Sequence, residues 1–322
     1  MKIFSTATAI GTALLLAQLT AIAQDYPSRP VRVVVPFTAG GPAEIIARLV
    51  SQKLTEQYRQ PMIIDTRGGG GGTIGVDIVA KSTPDGYTLL LHTVGHVIAP
   101  ALYRKLPYDA EKDLAPIAIA NTTQLMLVTH TSVPAKNVRE LIALARAKPR
   151  QLNFASSGSG GISHLAGHLF LTLAGIELTH VPYKGMAPAL TDVVAGQLQM
   201  VFPDPAVALP HVRAGRVNGL GVTGTKRVPS APNIPTIAES GLPDYDVPVW
   251  YGFLAPRGTS RAIIDKLHAG VAKAMASPDL HDRYIGEGGD ATVRGPDEFA
   301  ALIRTELVKW AKVVKDSGVR LD

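Results

Sequence analysis

Valine fills four of the five positions from Val31 to Val35, and Pro36 closes the run. β-Branched side chains pack well on a pleated sheet and resist helix, so the stretch reads as a strand. Beyond a short turn, Ile46, Leu49, Val50 and Leu54 recur at helical spacing and define a buried helix face. Gly40 and Gly41 permit backbone angles closed to other residues, and Pro42 is pre-set for the first helical position. Glu44 falls in the first turn, where a negative charge favours the positive end of the helix dipole. A strand that turns through two glycines into a helix presents unpaired N–H groups, a seat for a small anion.

The same grammar recurs. Met62 to Thr66 reads as a strand that runs through Arg67 into Gly68–Gly72. Gly70, Gly72 and Gly75 formally fit the dinucleotide pattern GxGxxG, but a run of glycines matches many patterns by chance. The preferred reading of Gly70, Gly71 and Gly72 is a second loop facing the cleft of Gly40; the bland alternative is a mobile surface turn. Pro84-Asp85-Gly86 turns into a strand ending at Thr93, whose small polar edge continues to His96. Leu114 to Ala120 and Gln124 to Thr131 read as strands, with the chain leaving the first lobe at Asn121-Thr122-Thr123. Asn137 and Glu140 form a capping box for a helix from Val138 to Lys148. Next, Leu152 to Gly161 repeats strand, glycine turn and helix start, with Ser156, Ser157, Gly158 and Gly160 as donors of a second anion seat. A strand ends at Tyr183 and another enters Pro203-Asp204-Pro205; Tyr183 could close over a ligand and Asp204 orient one, or each could be an ordinary strand-end residue. Val217 to Thr223 is the expected return crossing, Trp250 to Ala255 a last strand, and a helical tail capped by Gly318 should pack on the first lobe. Alternating strands and helices predict an α/β chain with mostly parallel sheets.

Composition narrows the class. The 322 residues exceed a usual single domain, and 46% hydrophobic with 18% charged residues is globular. Residues 1–23 carry Lys2, an apolar middle and Ala21-Ile22-Ala23, the pattern of a secretory signal peptide cut after Ala23; it is too short and too interrupted for a membrane helix. With no cysteine there are no disulfides, thiolate sites or lipidated cysteines, which suits a large periplasmic domain pair. The net charge of +6 falls to +5 without Lys2, a modest field for anionic solutes, and the scattered basic residues do not suggest nucleic acid. His164 and His168 are spaced for two metal ligands on one helix face, but HLAGH lacks the glutamate of HExxH, so a locally hydrogen-bonded His164 and a packed His168 are favoured.

Taken in order, YPSRPVRVVVPFTAGGPAEIIAR, TRGGGGGTIG, PDGYTLL, VPYKGMAPALTDVVAGQLQMVF, ALPHVRAGR, PNIPTIAESGLP and WYGFLAPRGT resemble the tripartite tricarboxylate transporter substrate-binding proteins, also called the Bug family. The resemblance runs from about Tyr26 to the C-terminus. It implies a type II periplasmic-binding-protein fold: residues 24–125 and 223–322 in lobe 1, residues 126–222 in lobe 2, and a ligand cleft between them. It also implies a carboxylate ligand held by backbone amides, small hydroxyls and waters. On the matching positions, Phe37, Thr38, Ala39 and Gly40 form one loop of lobe 1, Gly70 to Gly72 the other, and Ser156, Ser157, Gly158, Gly160 and His164 the loop of lobe 2; Thr93, Tyr183 and Asp204 complete the expected ligand set. Thr38 stands where the family usually has proline, Glu44 where aspartate is common, and Pro203 where aspartate is frequent.

The function expected from residues and resemblance together is a periplasmic receptor, not an enzyme. It would take a mono-, di- or tricarboxylate, aliphatic or aromatic, without cofactor or metal, and pass it to the large and small membrane subunits of a tripartite carrier. Signalling to a membrane sensor is the alternative partner. A secreted serine hydrolase using Ser157 or Ser159 is disfavoured, because neither serine lies in GxSxG.

Overall fold

The computed structural model describes residues 26–37, 39, 41–183, 185–286, 289–290 and 292–321; the expected signal peptide and the site candidates Thr38 and Gly40 lie outside them. Two five-stranded sheets organise the chain. The first opens with β1 (Val31–Val35), whose valines are fully buried, and α1 (Pro42–Tyr58), which starts on Pro42 as its sequence requires. There follow β2 (Met62–Thr66), a 3-10 turn over Gly70–Gly72, α2 (Thr73–Ala80), β3 (Thr88–Thr93), α3 (Gly95–Leu102) and β4 (Leu114–Gln124). The second sheet takes β5 (Met126–His130), β6 (Asn153–Ser156), β7 (Thr179–Pro182), β8 (Met200–Val201) and β9 (Val217–Val222). Its helices are α4 (Val138–Ala147), α5 (Ile162–Ala174), α6 (Met186–Val194) and α7 (Pro205–Arg213). The chain then returns as β10 (Pro248–Pro256), followed by α8 (Arg261–Met275), α9 (Pro278–Gly286) and α10 (Pro296–Ser317).

The first sheet runs in the order β2-β1-β3-β10-β4, with β1 parallel to β2 and β3, and β10 antiparallel to its neighbours. The second runs β7-β6-β8-β5-β9, with β6 parallel to β7 and β8. In each sheet the parallel strands end on one edge, so the loops that follow them gather there. Ligands bind at such carboxyl edges in open α/β sheets. Among the described residues no helix is long and apolar enough to cross a membrane.

Two expectations need correcting. Asn121-Thr122-Thr123 is not the exit from the first sheet: β4 stays paired with β10 through Gln124, and the change of sheet falls at Leu125. The ladder wins because β10 supplies partners for that whole stretch. Nor does the tail pack on the first lobe alone, since α10 lies against α3 and β4 and also against α5 of the second.

The crossings are stapled together. The buried Thr223 hydroxyl accepts the Leu125 N–H at 2.8 Å and donates to the Val247 carbonyl at 2.9 Å. Beside it, the Gln124 side chain accepts from the Gly224 N–H and donates to the Lys226 carbonyl. Thr223→Val keeps the shape but leaves a buried N–H and a buried carbonyl short of a partner. It should lower the unfolding free energy by about 1–3 kcal/mol, read from urea titrations; unchanged stability would rule out the staple.

Candidate ligand-binding cleft

The loops at the two carboxyl edges meet around a cavity of about 450 Å³. Pro36 and Phe37 after β1, the glycine run after β2, and Thr93 to Gly95 after β3 line one side; Ser157 to Ile162 after β6 line the other. The glycine run has φ of +124°, +56°, +64° and +97° at Gly69 to Gly72, a left-handed path that L side chains rarely adopt. It is anchored: the Tyr103 hydroxyl donates to the Gly70 carbonyl at 3.1 Å and the Thr73 hydroxyl to the same oxygen at 2.8 Å. A Cβ on Gly71 would lie 2.5 Å from the Tyr103 oxygen, so the turn is built around that ring. This is a held cradle and not the loose surface turn that the run alone would allow.

The second-lobe loop spends most of its own donors. The Ser157 N–H reaches the Ser163 hydroxyl at 3.0 Å, Gly158 the Ser156 hydroxyl at 3.2 Å, Gly160 the His164 Nδ1 at 3.1 Å and Gly161 the Gly158 carbonyl at 3.3 Å. Left over are the Ser159 N–H and the first-turn N–H groups of α5, at Ile162, Ser163 and His164, which have no acceptor within their own helix. The first-turn groups carry the positive end of the helix dipole toward the cavity.

Histidines brace both loops without adding charge. His164 stacks on His180 with centroids 3.8 Å apart, and His180 Nε2 lies 2.7 Å from the Ser156 hydroxyl. Burial, then His180 and His168, push the His164 pKa down to about 4; burial alone takes His180 to about 4. On the first lobe, burial and then His96 bring His92 to about 3, and burial brings His96 to about 4. All four are neutral imidazoles at neutral pH. No Lys, Arg, Asp or Glu lines the cavity among the described residues. An anion there would be held by N–H groups and hydroxyls.

Of the residues expected at the site, Phe37, Gly71, Gly72, Thr93, Ser157, Gly158 and Gly160 line the cavity. Gly70, Ser156 and His164 stand immediately behind it, as the anchor for Tyr103 and the braces of the second loop. Ala39 is an exposed turn residue outside the lining. Tyr183 and Asp204 are not brought to this cavity. The Tyr183 hydroxyl donates to Asp192 on α6, and Asp204 caps α7 through the Ala206 N–H at 2.9 Å. Asp204 lines a smaller pocket of about 180 Å³ with Pro42, Ile45 and Tyr251, so α1, the first anion seat read from sequence, starts on that pocket and not on the main one. Glu44 is buried and ion-paired with Arg48. Sequence reasoning missed Ile98, Leu102, Tyr103 and Leu321. Pro100 hides the helix that carries the first three up to their wall, and nothing local marks Leu321.

The hydrolase alternative finds no geometry. Ser157 Oγ pairs with Ser163 Oγ at 2.9 Å, and the serine of this loop that meets a histidine, Ser156, is fully buried.

Known proteins share this architecture. Residues 46–319 match the family described as "Tripartite tricarboxylate transporter family receptor". Protein BugT of Bordetella pertussis is 32% identical over 314 residues, 97% of this chain and 96% of its own. Rpa4515 of R. palustris, solved with adipate, superposes with a TM-score of 0.81 at 36% identity, covering 92% of this chain and 99% of that one. MatC of Rhodopseudomonas palustris, solved with bound malate, gives 0.78 at 34%, covering 90% and 100%.

The depressed histidines set a pH dependence. Unfolded imidazoles titrate near ~6.5, so between that value and about 4, where His96, His164 and His180 titrate in the fold, the unfolded chain binds more protons. Stability therefore rises with pH in this window, is fully present above it, and is lost as pH falls through it. The melting temperature should drop steadily from pH 6.5 toward pH 4, and His164→Gln/His180→Gln should flatten the slope; a constant melting temperature down to pH 5 would contradict the assignment.

Proposed function

This chain belongs to the tripartite tricarboxylate transporter family of receptors, and we propose that it captures a small carboxylate between its lobes in the periplasm and delivers it to the membrane subunits of a tripartite carrier. Proteins of this family are substrate-binding receptors and not enzymes. The single observation that carries the proposal is a cavity between the lobes, lined by no Lys, Arg, Asp or Glu among the described residues and bordered by a glycine cradle and the N-terminus of α5. That is a site for an anion read by shape and by backbone donors. Relatives of like fold hold adipate and malate, which fits a carboxylate here.

On this reading Gly71, Gly72, Thr93, Ser157 and Gly158 touch the ligand, while Ser156 and His164 position the loop that does. Residues 126–222 form the second lobe and the remainder of the mature chain the first, with the signal peptide removed after Ala23.

Binding only to the native cleft stabilises it by RT ln(1 + [L]/Kd), about 2.7 kcal/mol at a hundredfold excess over Kd. A thermal-shift panel of aliphatic and aromatic carboxylates, with mass spectrometry of any co-purified acid, should yield at least one stabilising ligand. Gly71→Val, which drives a side chain against Tyr103 in a left-handed conformation, should abolish the shift in a protein that still melts cooperatively. No shift with any acid and no bound acid would defeat the proposal.

A further inference from the structure

The cavity has one wall of a different character, and from it we infer the class of carboxylate; the inference rests on the receptor reading above. Along α3, Gly95, Ile98, Ala99 and Leu102 fall at i, i+3, i+4 and i+7, and all four line the cavity. The stripe runs about 10 Å from the N-terminus of the helix to its last turn. At its start, Gly72 and Gly95 both sit against the His92 ring, beside the Thr93 hydroxyl. At its end the chain closes on itself. The Leu321 N–H donates to the Leu102 carbonyl at 2.9 Å, and the Cδ1 atoms of Leu102 and Leu321 come within 2.9 and 3.0 Å of where a Cβ of Gly160 would lie. The leucine pair thus carries the apolar wall from the first lobe onto the loop of the second.

Three polar groups at that end are already engaged. The Leu102 carbonyl takes Leu321, the Gly160 N–H goes to His164, and the Tyr103 hydroxyl is committed to Gly70. No cationic side chain lines the cavity among the described residues; Arg104, Lys315 and Arg320 line a neighbouring pocket that shares Leu102 and Tyr103 with it. A ligand with its carboxylate on the polar side therefore meets hydrocarbon with its other end. A methyl or an aromatic ring is favoured there, whereas a second carboxylate would lose water and gain no partner.

We propose that this cleft selects monocarboxylates with an apolar body over dicarboxylates of the same length, and that Leu102 and Leu321 enforce the choice. Hexanoate and adipate make the matched pair, since they differ by a methyl in place of a carboxylate at one end. Calorimetry on the full mature chain should give hexanoate an affinity at least tenfold above adipate. Leu321→Lys, at a partly buried position on the edge of the core, brings an ammonium to that end and should move the ratio toward adipate by at least fivefold in a protein that still melts cooperatively. Adipate binding as tightly as hexanoate would overturn the inference and leave the receptor reading standing, as would an unchanged ratio in Leu321→Lys. If neither hexanoate nor adipate binds, this inference falls; the receptor reading falls with it only when the whole carboxylate panel and the search for a co-purified acid also give nothing.

Discussion

One buried threonine lies at the centre of the bonds that hold the two crossings of the chain in register. Thr223 uses its oxygen as acceptor for one crossing and its proton for the other, so Leu125 and Val247 are tied to one atom. The Thr223 backbone repeats the link, its N–H reaching the Leu125 carbonyl and its carbonyl receiving the Val247 N–H. β4 and β10 run antiparallel up to this point, and β5 and β9 run antiparallel away from it. The carboxyl edges of both sheets are thereby brought face to face. Every contact between the loops of the cleft depends on that placement.

What the facing edges offer is a cavity that no charged side chain lines among the described residues, suited on the proposed function to an anion. A lysine or arginine in the cleft would attract any anion and would lose hydration on closure; backbone N–H groups cost less to bury and fix direction as well as charge. The histidines serve the same end. His164 and His180 stack as neutral rings, so His164 can accept from Gly160 while His180 meets Ser156. A protonated His164 would turn its acceptor into a donor and release the Gly160 N–H. The loop keeps its shape because burial keeps its bracing imidazoles uncharged.

Where local chemistry decides, the sequence is transparent. Val31 to Val35 form the expected strand, Pro42 opens the expected helix, and Asn137 caps its helix through the Glu140 N–H at 3.0 Å. Strand–glycine–helix units at Gly70 and Ser157 do come to one cavity. Partnerships made across the fold are not written in such patterns. The count of N–H groups after β6 is legible, but that most of them are consumed by Ser156, Ser163 and His164 is a tertiary fact. Glu44 illustrates the same limit, since its position suits the dipole of α1 while its carboxylate is taken by Arg48. Proline hid α3, because an interior Pro100 argues against the helix that forms there. Leu321 has no pattern at all; it matters because α10 delivers the last residues to Leu102.

The glycine cradle shows how such long-range contacts repay a local cost. Glycines lose the most conformational freedom on ordering, and four successive left-handed residues would not hold this path by themselves. Tyr103 and Thr73 both donate to the Gly70 carbonyl, and Pro36 packs under Gly75, where a Cβ would come within 2.7 Å. The ordering is thus completed on folding and not charged against ligand binding. Tyr103 is delivered by α3, whose first turn borders the polar side of the cavity and whose last turn forms its apolar wall. One short helix therefore sets the shape of the cradle and the chemistry that the ligand meets beyond it.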